Sequence, residues 1–218
     1  AEGMTPDPEI GALVSKYEAQ VAPLVNRVVG TSATALSNER NAGTDTPLGN
    51  LIADAQRDKM GTQMAFMNPG GIRAPLDAGE VTYGELFNIQ PFGNNLVKMN
   101  LTGEQVYALL NQQWQPQSDG TLIVRILQIS GLSYTYVEAN PVGNKIKEVR
   151  VNGQPIDRAA KYSVTVNSFL ADGGDGFTVL QQGTERQGGP VDLDALVDYI
   201  AKLPQPFTAQ AEGRIVKE

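Results

Sequence analysis

Apolar side chains at Ile10, Leu13, Val14, Tyr17 and Val21 return every three or four positions, so the chain is expected to open with an amphipathic helix. Asp7 can cap it, Pro8 suits its first turn, and Glu9 favours the positive end of its dipole. The opposite face is not basic, so the stripe reads as core or interdomain packing and not as membrane contact. Asn26 to Gly30 is strand-like, Ser37 to Asp45 is a polar loop, and Thr46-Pro47 restarts a helix that buries Leu48, Leu51, Ile52 and Ala55.

The middle of the chain alternates short strands and helices. Gln63 to Met67 is an apolar run read as a strand, and Asn95 to Leu101 alternates as one. Thr82-x-x-Glu85 and Thr102-x-x-Gln105 are capping boxes, the second heading a helix with Val106, Leu109 and Leu110 on its buried face. Strands are expected over 122–127, 132–137 and 146–151, with Asn152-Gly153 as a primed hairpin turn. Tyr162, Val164 and Val166 share one strand face, and Asp192 is expected to cap a last helix carrying Leu193, Leu196, Val197 and Ile200. Strands and helices mixed in this order, without a regular βαβ rhythm, predict one compact α+β domain.

Composition narrows the chemistry. The 218 residues suffice for a well-buried core. The sequence has 0 His and 0 Cys, which removes imidazole-based triads, thiolate chemistry and a His-containing two-metal centre. A net charge of -7 argues against binding to nucleic acid. No apolar run approaches 18 residues and the N-terminus has no signal-like pattern; Ala1-Glu2-Gly3-Met4 reads as a processing boundary.

Three loops carry what chemistry remains. Asn68-Pro69-Gly70-Gly71-Ile72-Arg73 follows the apolar run at 63–67; its glycines can adopt positive φ and admit a ligand to the backbone, and Arg73 offers a fork to phosphate. The competing reading is an ordinary turn with a surface Arg. Gln90-Pro91-Phe92-Gly93-Asn94 and Phe169-Leu170-Ala171-Asp172-Gly173-Gly174-Asp175-Gly176-Phe177 follow. A lone aromatic is more often core than ligand, and that reading is kept for Phe177 and Phe207. Asp175 between two glycines can accept hydroxyl hydrogens or bond its own backbone, and Asn68 can serve a ligand or an Asx turn.

These loops, together with Pro47-Leu48-Gly49-Asn50-Leu51-Ile52-Ala53-Asp54-Ala55, resemble the C-terminal domain of the 5′-nucleotidase family from about Val28 onward. The preceding segment, residues 1–27, resembles the family's interdomain helix. The resemblance implies helix/sheet/sheet/helix layers with mixed sheets. It also implies a domain that grips a nucleoside while a preceding domain, absent here, hydrolyses the phosphoester with two divalent metal ions. On that basis Phe92 and Phe169 would stack on a base, Asp175 would hold the ribose, and Asn68, Gly70 and Gly71 would contact ligand. Arg73 would meet phosphate, as would Arg40, which otherwise reads as a solvated loop residue. Pro69 departs from many relatives, which carry a third glycine there. The expected partners are a nucleotide or nucleoside and the metallophosphoesterase domain, in a periplasmic or extracellular enzyme. The alternatives are a stand-alone nucleotide-binding module without catalysis and a structural or dimerisation domain.

Overall fold

The computed structural model describes residues 7–39 and 43–218, so the readings of Ala1–Met4 and of Arg40 lie outside it. Helix α1 (Pro8–Val25) begins where the sequence marks it, with the Asp7 carboxylate accepting from the backbone N–H groups of Glu9 and Ile10. None of its residues is buried, and Ile10 and Tyr17 are 62% and 58% exposed. The apolar stripe is therefore not part of this domain's core.

Strand β1 (Val28–Ser32) leads to α2 (Pro47–Met60), whose N-cap Thr46 hydroxyl accepts from Gly49 and whose end is closed by Gly61 in the left-handed region. Strands β2 (Met64–Met67) and β3 (Gly79–Thr82) follow, then α3 (Tyr83–Ile89), β4 (Asn95–Thr102) and α4 (Gly103–Asn111). Both capping boxes are closed: Thr82 with Glu85, and Thr102 with Gln105. Each fixes a strand-to-helix turn without loop residues.

The run expected as one strand over 122–127 divides instead. Strand β5 (Trp114–Pro116) pairs with β6 (Leu122–Val124), and the chain then leaves the ladder before β7 (Gln128–Ser130). The cause is Gln113, fully buried, whose backbone carbonyl accepts from Arg125 N–H and whose side-chain oxygen accepts from Leu127 N–H at 2.6 Å. Strands β8 (Ser133–Tyr136), β9 (Ile146–Val151) and β10 (Gln154–Pro155) come next, with Asn152 and Gly153 both at positive φ in the tight turn. After β11 (Lys161–Asn167), the short α5 (Ser168–Ala171) and β12 (Thr184–Val191), the chain enters α6 (Asp192–Lys202) and ends near β13 (Ile215–Lys217). Asp192 is not the cap of α6. Strand β12 runs straight into the helix, Val191 takes the cap position, and the Asp192 side chain is buried.

The central sheet has the order β12-β4-β11-β2-β7, and a second sheet has the order β10-β9-β8-β13. Each sheet contains one parallel pair among antiparallel ones. Alternation sorts the central strands' side chains: Met64, Phe66, Met99, Val164 and Val166 enter one core together with Tyr134, Val149 and the α4 stripe, between the sheets. Met67 enters a second core, with Leu48 and Ile52 of α2 and Leu196 and Ile200 of α6. The result is one α+β domain with mixed sheets, and Phe177 and Phe207 are core residues as read from the sequence.

Candidate functional site

Strands β2 and β11 are parallel neighbours, with Val164 opposite Met64, so both release the chain at the same sheet edge. Antiparallel pairing of β11 with β4 sets Asn167 opposite Leu96, which brings the start of β4 to that edge too. The Asn68, Phe92 and Phe169 loops, far apart in sequence, therefore converge. They enclose a cleft of about 400 Å³ lined by Asn68, Gly70, Gly71, Arg73, Phe92, Asn94, Phe169 and Asp175. That volume suits a small organic ligand.

Phe92 and Phe169 are 56% and 46% exposed, which is unusual for Phe and removes the core reading for both. Phe169 is aimed by its own loop. The Asn167 side chain caps α5 by accepting from Leu170 N–H at 2.9 Å, and a Cβ on Gly174 would fall 2.6 Å from the Phe169 ring. Phe92 stands beside Gly93, at φ 62°, and the Arg73 guanidinium carbon lies 5.9 Å from the Phe92 ring centroid.

Asn68 does not form an Asx turn. It is buried, its Nδ2 donates to Asp175 Oδ2 at 2.9 Å, and its Oδ1 accepts from Asn167 Nδ2 at 2.9 Å. The glycines after it also differ from expectation, since neither Gly70 nor Gly71 has positive φ. Residues Pro69–Gly71 make a single 3₁₀ turn, and a Cβ at 71 would lie 2.5 Å from Met67 Cε, so a larger residue there would have to displace the end of that methionine. Arg73 is exposed; its backbone N–H is tied to Ile89 O at 2.9 Å, and its Nη1 reaches Gly70 O at 3.4 Å.

Asp175 adopts φ 56° and ψ 17°, a left-handed conformation seldom used by residues other than glycine. Its side chain does not bond its own loop. It receives Asn68 on one oxygen and faces Arg125 Nε at 3.4 Å from the other.

Three contributors are missing from the sequence reading. Asn94 lines the cleft and closes the loop already singled out at 90–94, so its position was the available signal. Its side chain hydrogen-bonds the Asp192 carboxyl, and its Oδ1 accepts from Ser168 Oγ at 3.3 Å. Burial dominates at Asp192 and pushes that carboxyl up to about 6, against the pull of the Leu193 N–H and Asn94. Arg125 and Gln115, 50 and 60 residues before Asp175, carry no local signal at all.

A sequence model described as the 5′-nucleotidase, C-terminal domain matches residues 28–182. The chain belongs to the 5′-nucleotidase family. It is similar to Endonuclease YhcR of Bacillus subtilis (strain 168), with 37% identity over 212 residues, covering 96% of this chain and 17% of that protein. Trifunctional nucleotide phosphoesterase protein YfkN of the same organism is 31% identical over 221 residues, covering 96% of this chain and 15% of that protein. The crystal structure of a 5′-nucleotidase precursor from Thermus thermophilus superposes with a TM-score of 0.83 at 35% identity, covering 98% of this chain and 44% of that one. This chain thus spans under a fifth of the two curated relatives and less than half of the solved one.

This 5′-nucleotidase domain does not fit the metals that the family implies. Among the described residues no group of three or more His, Cys, Asp or Glu is placed to hold a metal ion, and the whole sequence has 0 His and 0 Cys. Among the same residues no helix is long and apolar enough to cross a membrane.

Proposed function

We propose that this chain is the nucleotide-binding domain of a metal-dependent 5′-nucleotidase-type phosphohydrolase. The observation carrying this reading is that two exposed phenylalanines, a carboxylate and an arginine line one cleft. A base is flat and polarizable, so Phe92 and Phe169 stack on its two faces. Asp175 accepts from ribose hydroxyls, Asn68, Gly70 and Gly71 form the floor beside it, and Arg73 meets phosphate with its fork. By family resemblance Arg40, outside the described residues, is assigned a phosphate-contacting role as well. Binding energy from base and ribose then holds the phosphate for a metallophosphoesterase domain elsewhere in the protein, acting in the periplasm or outside the cell. Residues 1–27 supply the connection to that domain, which gives the exposed stripe of α1 a role that the domain's own core does not.

Calorimetry of the chain with adenosine, AMP, uridine and UDP-glucose tests the reading. Binding of at least one is expected, with loss in a Phe92→Ala, Phe169→Ala double variant that keeps its circular dichroism. A double variant that binds as well as the parent refutes the stacking site.

A further inference from the structure

Asp175 is gripped in three places by residues that do not line the cleft or that form its floor. Asn68 Nδ2 donates to Oδ2 at 2.9 Å, Arg125 Nε lies 3.4 Å from Oδ1, and Gln115 Nε2 donates to the Asp175 backbone carbonyl at 2.6 Å. The last two are joined, since Arg125 Nη1 donates to Gln115 Oε1 at 2.7 Å. Gln115 is itself anchored by a second donation to Gln112 O at 2.9 Å. Both residues belong to the β5–β6 hairpin or its end, which makes the hairpin a clamp on one residue of the glycine-rich loop. A clamp is needed, because left-handed backbone at a non-glycine residue persists only where its surroundings hold it.

The consequence lies in the acceptor sites left over. An ionised carboxylate offers roughly four lone-pair directions, two on each oxygen. Asn68 engages one oxygen and Arg125 faces the other, so each oxygen keeps acceptor capacity to spare on a residue that lines the cleft. A carboxylate fixed this way matches two neighbouring hydroxyl donors, the vicinal diol of a ribose. One free to rotate serves a single hydroxyl equally well. We propose that Arg125, with Gln115, is a positioning residue that holds the Asp175 carboxylate for simultaneous contact with both ribose hydroxyls, and so makes the site selective for ribonucleotides over 2′-deoxyribonucleotides. This rests on the nucleotide-binding reading above.

The test measures binding of adenosine, 2′-deoxyadenosine and AMP to the 218-residue chain by calorimetry or ligand-observed NMR. The parent should prefer adenosine to 2′-deoxyadenosine by about tenfold, the scale of one hydrogen bond to a charged group. Arg125→Met should reduce that preference to about twofold, chiefly by weakening adenosine, and Arg125→Lys should recover part of it. Should the Met variant fail to fold, Gln115→Met carries the test, with a smaller loss of preference in the same direction. Equal weakening of both nucleosides makes Arg125 merely structural, and an unchanged preference removes it from the site; either overturns the proposal. Loss confined to AMP makes it a phosphate contact and also overturns it. A folded parent chain that binds none of the three removes the nucleotide reading itself, a failure distinct from these.

Discussion

Replacing Asp192 by Asn gives a pH signature whose size follows from the structure. Asp192 is 2% exposed, and burial raises its folded-state carboxyl to about 6, against 3.8 for an ordinary aspartate. Between those values the folded protein holds a proton that the unfolded chain has released. The favourable contribution is thus complete below about pH 4 and is lost as pH rises through 6. At neutral pH the difference corresponds to roughly 3 kcal/mol of penalty, at about 1.36 kcal/mol for each tenfold step. Asparagine does not titrate, so it escapes that penalty. It also disturbs the bond to Asn94, a pH-independent cost that cancels when one variant is compared with itself at two pH values. Urea unfolding of parent and Asp192→Asn at intervals from pH 4 to 7.5 is the assay. The variant's stability relative to the parent should climb by roughly 2–3 kcal/mol across this range. A difference that stays flat, or that falls as pH rises, refutes a buried and ionised Asp192.

Further outcomes are expected at the cleft and in the frame. Arg73→Ala should weaken AMP by about 1.5–3 kcal/mol and leave adenosine nearly unchanged, read by calorimetry; equal losses would make Arg73 a loop-shaping residue. Phe92→Ala should weaken both ligands alike by roughly 1–3 kcal/mol while denaturant midpoints hardly move, since the ring is more than half exposed. Arg214 donates to both Asp54 oxygens at 2.8 Å and is 13% exposed in its side chain, so Arg214→Met should cost about 2–4 kcal/mol by stranding that carboxylate; a loss under about 0.5 kcal/mol would mean the pair is fully screened. The chain supplied with Mg, Mn, Zn or Co should release no phosphate from AMP, and release by contaminant-free protein would place the chemistry inside it.

Local signals were enough for the family, the long helices and strands β2, β4, β8, β9 and β11, but not for β3, β5, β7, β12 or β13. Asp7, Thr46, Thr82 and Thr102 mark helix starts because a capping bond forms within a few residues and needs no distant partner. The three loops were legible because glycine, proline and asparagine each mark turns through local backbone chemistry: glycine by admitting conformations other residues avoid, proline by fixing φ, and asparagine by bonding nearby backbone. The sequence by itself also settled that no His-based or Cys-based chemistry is present, since composition does not depend on folding. Tertiary structure decided what depends on contact. The strand expected over 122–127 breaks because a buried Gln113 supplies the hydrogen bonds that a ladder would have made. Asp192 reads locally as a cap, yet the continuity of β12 into α6 buries it. Asn68 turns from a turn former into a brace because the register of β2 and β11 sets Asn167 beside it. Arg125 joins Asp175 across 50 residues, and only the packing of a hairpin against a glycine-rich loop could bring their charges together.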